Sequence, residues 1–234
     1  TWTNRQVQLW SYSEDAHSGI NKVEGSKDGG ITWIVLEDAS EGVLLYRQKI
    51  TIGLSEEGIF DIRVRFTDKA GNVSVISDPF IVKYDFTAPT KPELINSSGG
   101  TGNWTNQNVT ITAKSSDSGG SELYQILYSY DNVNWYNTWE NGDGDVSDGE
   151  VSGMWTSEMN KPVYVKAVDN AGNESEVAGP SYVRIDKTKP IITVDNTSCT
   201  WRNSEYSIKI TVTDVGGSGL SSSNSYQWYL SNSS

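Results

Sequence analysis

The chain predicts an all-β fold built from small antiparallel β-sandwich domains in tandem, and three observations carry that expectation. Apolar and polar residues alternate before two turns. Ile62, Val64 and Phe66 share one face, and so do Val163, Val165 and Ala167. A period of two marks a half-buried strand. Turn chemistry follows each stretch, in Asp68-Lys69-Ala70-Gly71-Asn72 and again in Asp169-Asn170-Ala171-Gly172-Asn173. The short Asp side chain accepts from backbone N–H groups just ahead of it, and Gly and Asn tolerate a tight reversal. Finally, these units repeat, and a repeat read first decides the fold.

Composition narrows the class further. The 234 residues are only 35% hydrophobic, but nine Trp, twelve Tyr and four Phe supply large buriable surfaces. Leu, Ala and Met are scarce, which disfavours helices. No apolar run approaches the ~20 residues that span a bilayer. A formal charge of −12 argues against nucleic acid and against direct adsorption to anionic lipid. The single Cys199 forms no disulfide within the chain, so the domains must rest on aromatic cores. The sequence starts at Thr1 without Met and stops in a Ser/Asn-rich stretch, as an internal segment of a longer protein would.

Taken in order, three landmarks recur. Trp-x-Asn occurs at Trp2, Trp104 and Trp201. An Asp leading a small-residue cluster occurs at Asp15, Asp117 and Asp214. The Asp-x-Ala-Gly-Asn turn is followed by Asp85-Phe86-Thr87-Ala88-Pro89 and by Asp186-Lys187-Thr188-Lys189-Pro190. Corresponding landmarks lie 97 to 102 residues apart, the size of one small β-domain. The register predicts a first repeat over 1–86 that lacks its opening strand, a complete second repeat over 87–187, and the N-terminal part of a third over 188–234.

Seven strands are expected in the second repeat, over 93–96, 108–115, 123–130, 135–139, 151–157, 162–168 and 176–185. Val109, Ile111 and Ala113 face inward in the second of these. Tyr206, Ile208, Ile210 and Val212 hold the same phase in the third repeat. Short strands closely spaced by turns read as an antiparallel sandwich. The junctions are short and proline-bearing, at Pro89, Pro92 and Pro190, so successive domains should form a semi-rigid string.

These landmarks resemble bacterial immunoglobulin-like repeats, which are similar to fibronectin type III domains. The resemblance rests on the Asp-x-Ala-Gly-Asn-x-Ser turn, the Asp-x-Thr-x-Pro junction, and a Ser-Gly-Ile/Leu segment ahead of Asp28-Gly29-Gly30-Ile31-Thr32-Trp33. It covers essentially the whole chain. The second repeat departs from it by placing Leu123 some residues beyond its Gly-Gly. The resemblance implies tandem β-sandwiches in a large secreted or cell-wall-attached protein, with flanking repeats and no catalytic site to carry over.

Three places could bear chemistry. The loop Asn141 to Glu150 offers Asp143, Asp145 and Asp148 to a hard cation such as calcium, against the plain reading of a solvated hairpin loop. Its match to a calcium loop fails where Val146 and Ser152 replace the needed Gly and Glu. The turn residues Asp68, Gly71, Asn72, Asp169, Gly172 and Asn173 read first as structural, with calcium at an interdomain end as the alternative. Trp139 and Trp155 flank the acidic loop and could stack on a glycan. The recurring Trp2, Trp33, Trp104, Trp135 and Trp201 read as core packing. His17 is the only histidine and has no nucleophile at a meaningful spacing. A non-catalytic extracellular spacer projecting a head domain is therefore expected. The alternatives are an adhesin module that binds a host protein or glycan, and an accessory module of a polysaccharide-degrading enzyme.

Overall fold

In the computed structural model, residues 1–99, 102–140, 142, 146, 148–195, 205 and 207–222 are described, with backbone alone for residues 39–43. The first repeat contains β1 (Trp2–Thr3), β2 (Val7–Glu14), β3 (Ile20–Ser26), β4 (Ile34–Val43), β5 (Leu45–Ile52), β6 (Gly58–Asp68) and β7 (Phe80–Tyr84). The second contains β8 (Glu93–Asn96), β9 (Val109–Lys114), β10 (Leu123–Ser129), β11 (Glu150–Trp155), β12 (Met159–Asp169) and β13 (Ala178–Ile185). The third contributes β14 (Ile191–Asp195) and β15 (Lys209–Thr213).

Each of the first two repeats is a sandwich of two sheets. In the second, β8-β9-β11 faces β10-β12-β13. With β8 as strand A, these are the A-B-E and C-F-G sheets of an immunoglobulin-like or fibronectin type III-like fold. The first repeat follows the same plan, with β2-β5 opposite β1-β7-β6-β3-β4. Strand β1 runs parallel to β7, pairing Trp2 with Lys83 and Thr3 with Tyr84. Thr105 makes the matching parallel bridge to Ile185. Among the described residues no strand of the first repeat stands where β8 stands in the second.

Alternation sets the cores. Val109, Ile111 and Ala113 of β9 are fully buried against Val163, Val165 and Ala167 of β12. In the first repeat Val7, Ile52, Leu54, Ile62, Val82 and Tyr84 form one cluster, and Ile20, Val23, Tyr46 and Ile50 form another.

Two sequence expectations fail. Residues 135–139 form no strand; only Tyr136 bridges to Tyr128. The reason is Trp139, whose indole turns under the sheet and donates from Nε1 to the Ile126 carbonyl at 2.9 Å. The chain therefore leaves the sheet edge after one bridge, whereas the first repeat runs the full β4 there. In the third repeat Ile208 and Ile210 are not inward: they are 50% and 55% exposed, with no described sheet over them, and Val212 is only half-buried. Tyr206 lies outside the described residues.

Candidate functional site

The recurring landmarks converge on one place, the junction between successive repeats. Its scaffold is the β12–β13 turn. Asp169 Oδ1 accepts from the backbone N–H of Ala171 at 2.9 Å and of Asn173 at 2.7 Å, while Oδ2 accepts from Asn173 Nδ2 at 2.7 Å. Gly172 sits at φ +90°, where a side chain would be strained. The earlier turn is built alike: Asn72 donates from its backbone and its Nδ2 to the two Asp68 oxygens at 2.7 Å each, with Gly71 at φ +90°.

Asn173 also reaches the linker. Its Nδ2 lies 3.1 Å from the Asp85 carbonyl and 3.2 Å from that of Thr87, and its Oδ1 accepts from Asn4 Nδ2 at 3.0 Å. The Asn of Trp-x-Asn in one repeat thus meets the Asn of the turn in the next.

Asp85, fully buried, is the linker's own contribution. Its N–H donates to the Thr3 carbonyl at 3.1 Å. Its Oδ1 accepts from Thr87 N–H at 3.0 Å and its Oδ2 from Ser121 N–H at 2.8 Å. The two glycines ahead of Ser121 make room. A Cβ on Gly119 would fall on the Asp85 carboxylate, and one on Gly120 would come within 2.6 Å of the Trp2 ring.

The next junction repeats this construction. Asp186 N–H donates to Thr105 O at 2.9 Å, and its carboxylate accepts from Thr188 N–H at 3.0 Å and Ser218 N–H at 2.8 Å. A Cβ on Gly216 would overlap Asp186, and one on Gly217 would overlap Trp104. Glu57 and Glu158 extend the likeness by accepting from the N–H of Phe86 and Lys187 at 3.0 and 2.9 Å. At the leading end of the first repeat, Ala16-His17 precedes Ser18 where the other repeats carry Gly-Gly before Ser. That end is not built to receive a Trp in the same way.

Asp85, Asp117 and Asp169 place carboxylate oxygens within 4.8 Å of one another. Burial pushes the Asp117 carboxyl up, and the charges of Asp85 and Asp169 add to the rise against the N–H of Gly119. Burial also works to raise Asp85, but the donors from Ser121 and Thr87 outweigh it and hold that group below the usual range. The Ser218 hydroxyl and N–H lower Asp186. The three clustered carboxylates are the described residues that could converge on one cation. Each already accepts from at least one backbone N–H, and these dipoles offset the like charge.

The tryptophans reverse the sequence expectation. Trp139 and Trp155 are each 3% exposed, so neither indole can stack on a glycan. They meet at 6.3 Å in the core around Tyr128, and Trp155 Nε1 donates to the Tyr130 hydroxyl at 2.7 Å. The recurring Trp2 and Trp104 are half-buried and cap the glycine pair of the following repeat. Trp33 and Trp135 lie half-buried beneath cations, with Arg65 at 4.2 Å and Lys166 at 4.7 Å from the ring centres. Trp201 lies outside the described residues, as do Asp143 and Asp145 of the acidic loop. Asp148 accepts from Glu150 N–H at 3.2 Å, a turn contact. His17 is exposed, and its backbone N–H donates to Asp15. Asn4, Asp85 and Asp117 were legible only as parts of landmarks whose meeting place the spacing does not reveal, and Ser121 was not singled out by the sequence.

No protein-family model matches the chain, and no curated protein matches it. Among solved structures it is similar to the fibronectin(III)-like modules of Clostridium thermocellum CbhA. Identity there is 15%, over 75% of this chain and 83% of that one, with a TM-score of 0.40. It is also similar to a tetra-tandem repeat in the extending region of a large adhesion protein, with 16% identity and a TM-score of 0.32. That match covers 93% of this chain, which spans 61% of that one.

Proposed function

We propose that the chain is a non-catalytic spacer from a secreted or surface-attached protein, with β-domains over 1–86, 87–187 and 188–234 joined in series at stiff junctions. The observation that supports this is the double construction of the lock. Asp85 and Asp186 each satisfy the Gly-Gly-Ser loop of the following repeat, and Trp2 and Trp104 each close on its second glycine. A flexible tether needs no such duplication. Hydrogen bonds to a charged acceptor are stronger than neutral ones, and one buried between two domains resists their separation. The formal charge of −12 suits an extended array, because like-charged neighbours stay apart.

Interdomain distances test this. With Cys199→Ser as background, spin labels at Lys49→Cys and Asn137→Cys should give one narrow distance distribution. Asp85→Ala should broaden it while both sandwiches stay folded. A broad distribution in the unmutated junction would refute the spacer reading.

A further inference from the structure

The outer face of the β2–β5 pair differs in kind from its counterpart in the second repeat, the outer face of β9 and β11. Alternation turns Gln8, Trp10, Tyr12 and Glu14 of β2 outward, and the ladder sets Lys49 opposite Trp10 and Arg47 opposite Tyr12. Trp10 is 77% exposed and Tyr12 58%. At the same places β9 and β11 carry Thr112 opposite Ser152, and Lys114 opposite Glu150. That Lys and Glu close on each other at 2.6 Å. One face is polar and its charges are matched; the other sets two aromatic rings beside two cations.

These four side chains are open to a ligand. Among the described residues neither Lys49 nor Arg47 enters an ion pair. Cations there cover Trp2, Trp33, Tyr130, Trp135 and Tyr182, so the flat faces of Trp10 and Tyr12 stay bare. The Tyr12 hydroxyl donates to Glu14 Oε2 at 3.0 Å, which steadies the ring. A lone exposed Trp needs no explanation, but two rings in line, ~7 Å apart at the repeat of one strand, make a platform. A strand lying along the free side of β2 would flank this platform and not cover it. In the second repeat Ile95 stands beside Thr112 in just that way, and is itself 50% exposed.

Shape decides what such a platform can hold. Strands ~5 Å apart and eight residues long give a strip of about 250 Å², far below the ~800 Å² that each side of a stable protein interface covers. The strip also faces outward through side chains alone, so an extended peptide would find no main-chain partners on it. A narrow, flat, aromatic strip fits a linear polymer of rings.

We propose that this face binds a polysaccharide bearing carboxylate groups, with the apolar C–H faces of its sugar rings stacked on Trp10 and Tyr12 and its carboxylates held by Lys49 and Arg47. The guanidinium of Arg47 offers a carboxylate two parallel N–H donors, and charge-assisted bonds of this kind are the stronger sort. A denser polyanion such as nucleic acid is disfavoured by the formal charge of −12 and by Glu14 at the end of the platform. The site goes beyond the spacer reading and does not depend on it, since it needs one face of the first sandwich and no junction.

Electrophoresis of the whole chain through gels containing polygalacturonate or alginate tests this, each compared with a gel lacking polymer. A chelator keeps divalent cations from bridging two anions. Both polymers should retard the chain, and methyl-esterified polygalacturonate, which has lost its charges, should retard it far less. Trp10→Ala with Tyr12→Ala, or Arg47→Gln with Lys49→Gln, should weaken binding by roughly tenfold or more, while Trp10→Phe should keep most of it. All four side chains are exposed, so the melting temperature, measured alongside, should hold. Absence of retardation by either uronate overturns the proposal, and so does retardation that survives loss of both rings. Retardation by heparin that needs the cations but not the rings also overturns it, for then the face is an electrostatic patch only. Interdomain distances should be the same in every variant, so failure here leaves the spacer reading standing.

Discussion

In the second repeat the space between the sheets holds Trp139 and Trp155 around Tyr128, and Gly153 leaves room for both rings, its Cβ position lying 3.0 and 3.2 Å from them. In the first repeat Ile50 stands at the place of Gly153, Ile52 at that of Trp155, and Gly25 at that of Tyr128, with the Leu36 side chain filling the hollow over Gly25. Large and small have exchanged places across the core while the strands that carry Ile50, Ile52 and Gly25 kept the pairings of those that carry Gly153, Trp155 and Tyr128. Cores accept such exchanges when volume and pattern are conserved. The junctions show the opposite behaviour. There Trp, Asp, Gly-Gly and Ser return at both boundaries, because two surfaces must fit each other and neither can change alone.

The largest expected effect probes the divergent core. Trp155→Ala should cost ~3–5 kcal/mol, since it empties an indole-sized volume and strips the Tyr130 hydroxyl of a donor. Amide exchange across the second repeat would read this as a lower opening free energy, with the first repeat unaffected. Trp135→Ala removes a half-buried ring under Lys166 and should cost about 1 kcal/mol. Equal losses at the two positions would break the distinction between core and surface tryptophans.

The junction comes next. Gly120→Val brings a Cβ within 2.6 Å of the Trp2 ring and should weaken docking of the two repeats by ~1–3 kcal/mol. Gly217→Val should do the same at the second boundary, where Trp104 lies over the glycine. Each sandwich should keep its own melting transition. If either substitution unfolds its repeat instead, the glycines serve the domain and not the joint.

Recurrence explains what could be read in advance. The alternation of Val163, Val165 and Ala167 reports burial directly, because period two is a property of a strand by itself. The Asp169–Asn173 turn was legible for the same reason: its hydrogen bonds close within five residues of sequence. The site was not legible, because Asn4 and Asn173 are 169 positions apart and meet only when two domains dock. The tryptophans misled for a physical reason. A core can be refilled differently in each repeat, so its large residues need not recur, as Trp139 and Trp155 do not. A shared interface cannot, so the recurrence of Trp2 and Trp104 marked the joints, whereas the recurring Trp33 and Trp135 lie under cations within their own repeats. The strand expected over 135–139 failed because alternation cannot tell an edge strand from a loop that tucks one indole inward.

The smallest effect is a dependence on pH that should differ between the two junctions. Asp117 is held above the usual carboxylate range, first by burial and then by the charges of Asp85 and Asp169. A carboxyl raised on folding binds its proton more tightly in the folded state. Stability therefore falls as pH rises from the ordinary value through the raised one. Asp85 and Asp186 are lowered by the donors around them, so their contribution is present above the ordinary carboxylate value and is lost as pH falls through the lowered one. The first junction should then be tightest in weak acid, where Asp117 is neutral and Asp85 still charged, and should loosen modestly toward neutrality. The second, governed by Asp186, should loosen only in stronger acid. Carbon-13 titration of the three carboxyls, read beside the exchange of the Asp169–Asn173 amides, checks both trends. Asp117→Asn should abolish the loosening toward neutral pH and leave the acid limb intact; an unchanged profile would mean that the clustered carboxylates do not govern the joint.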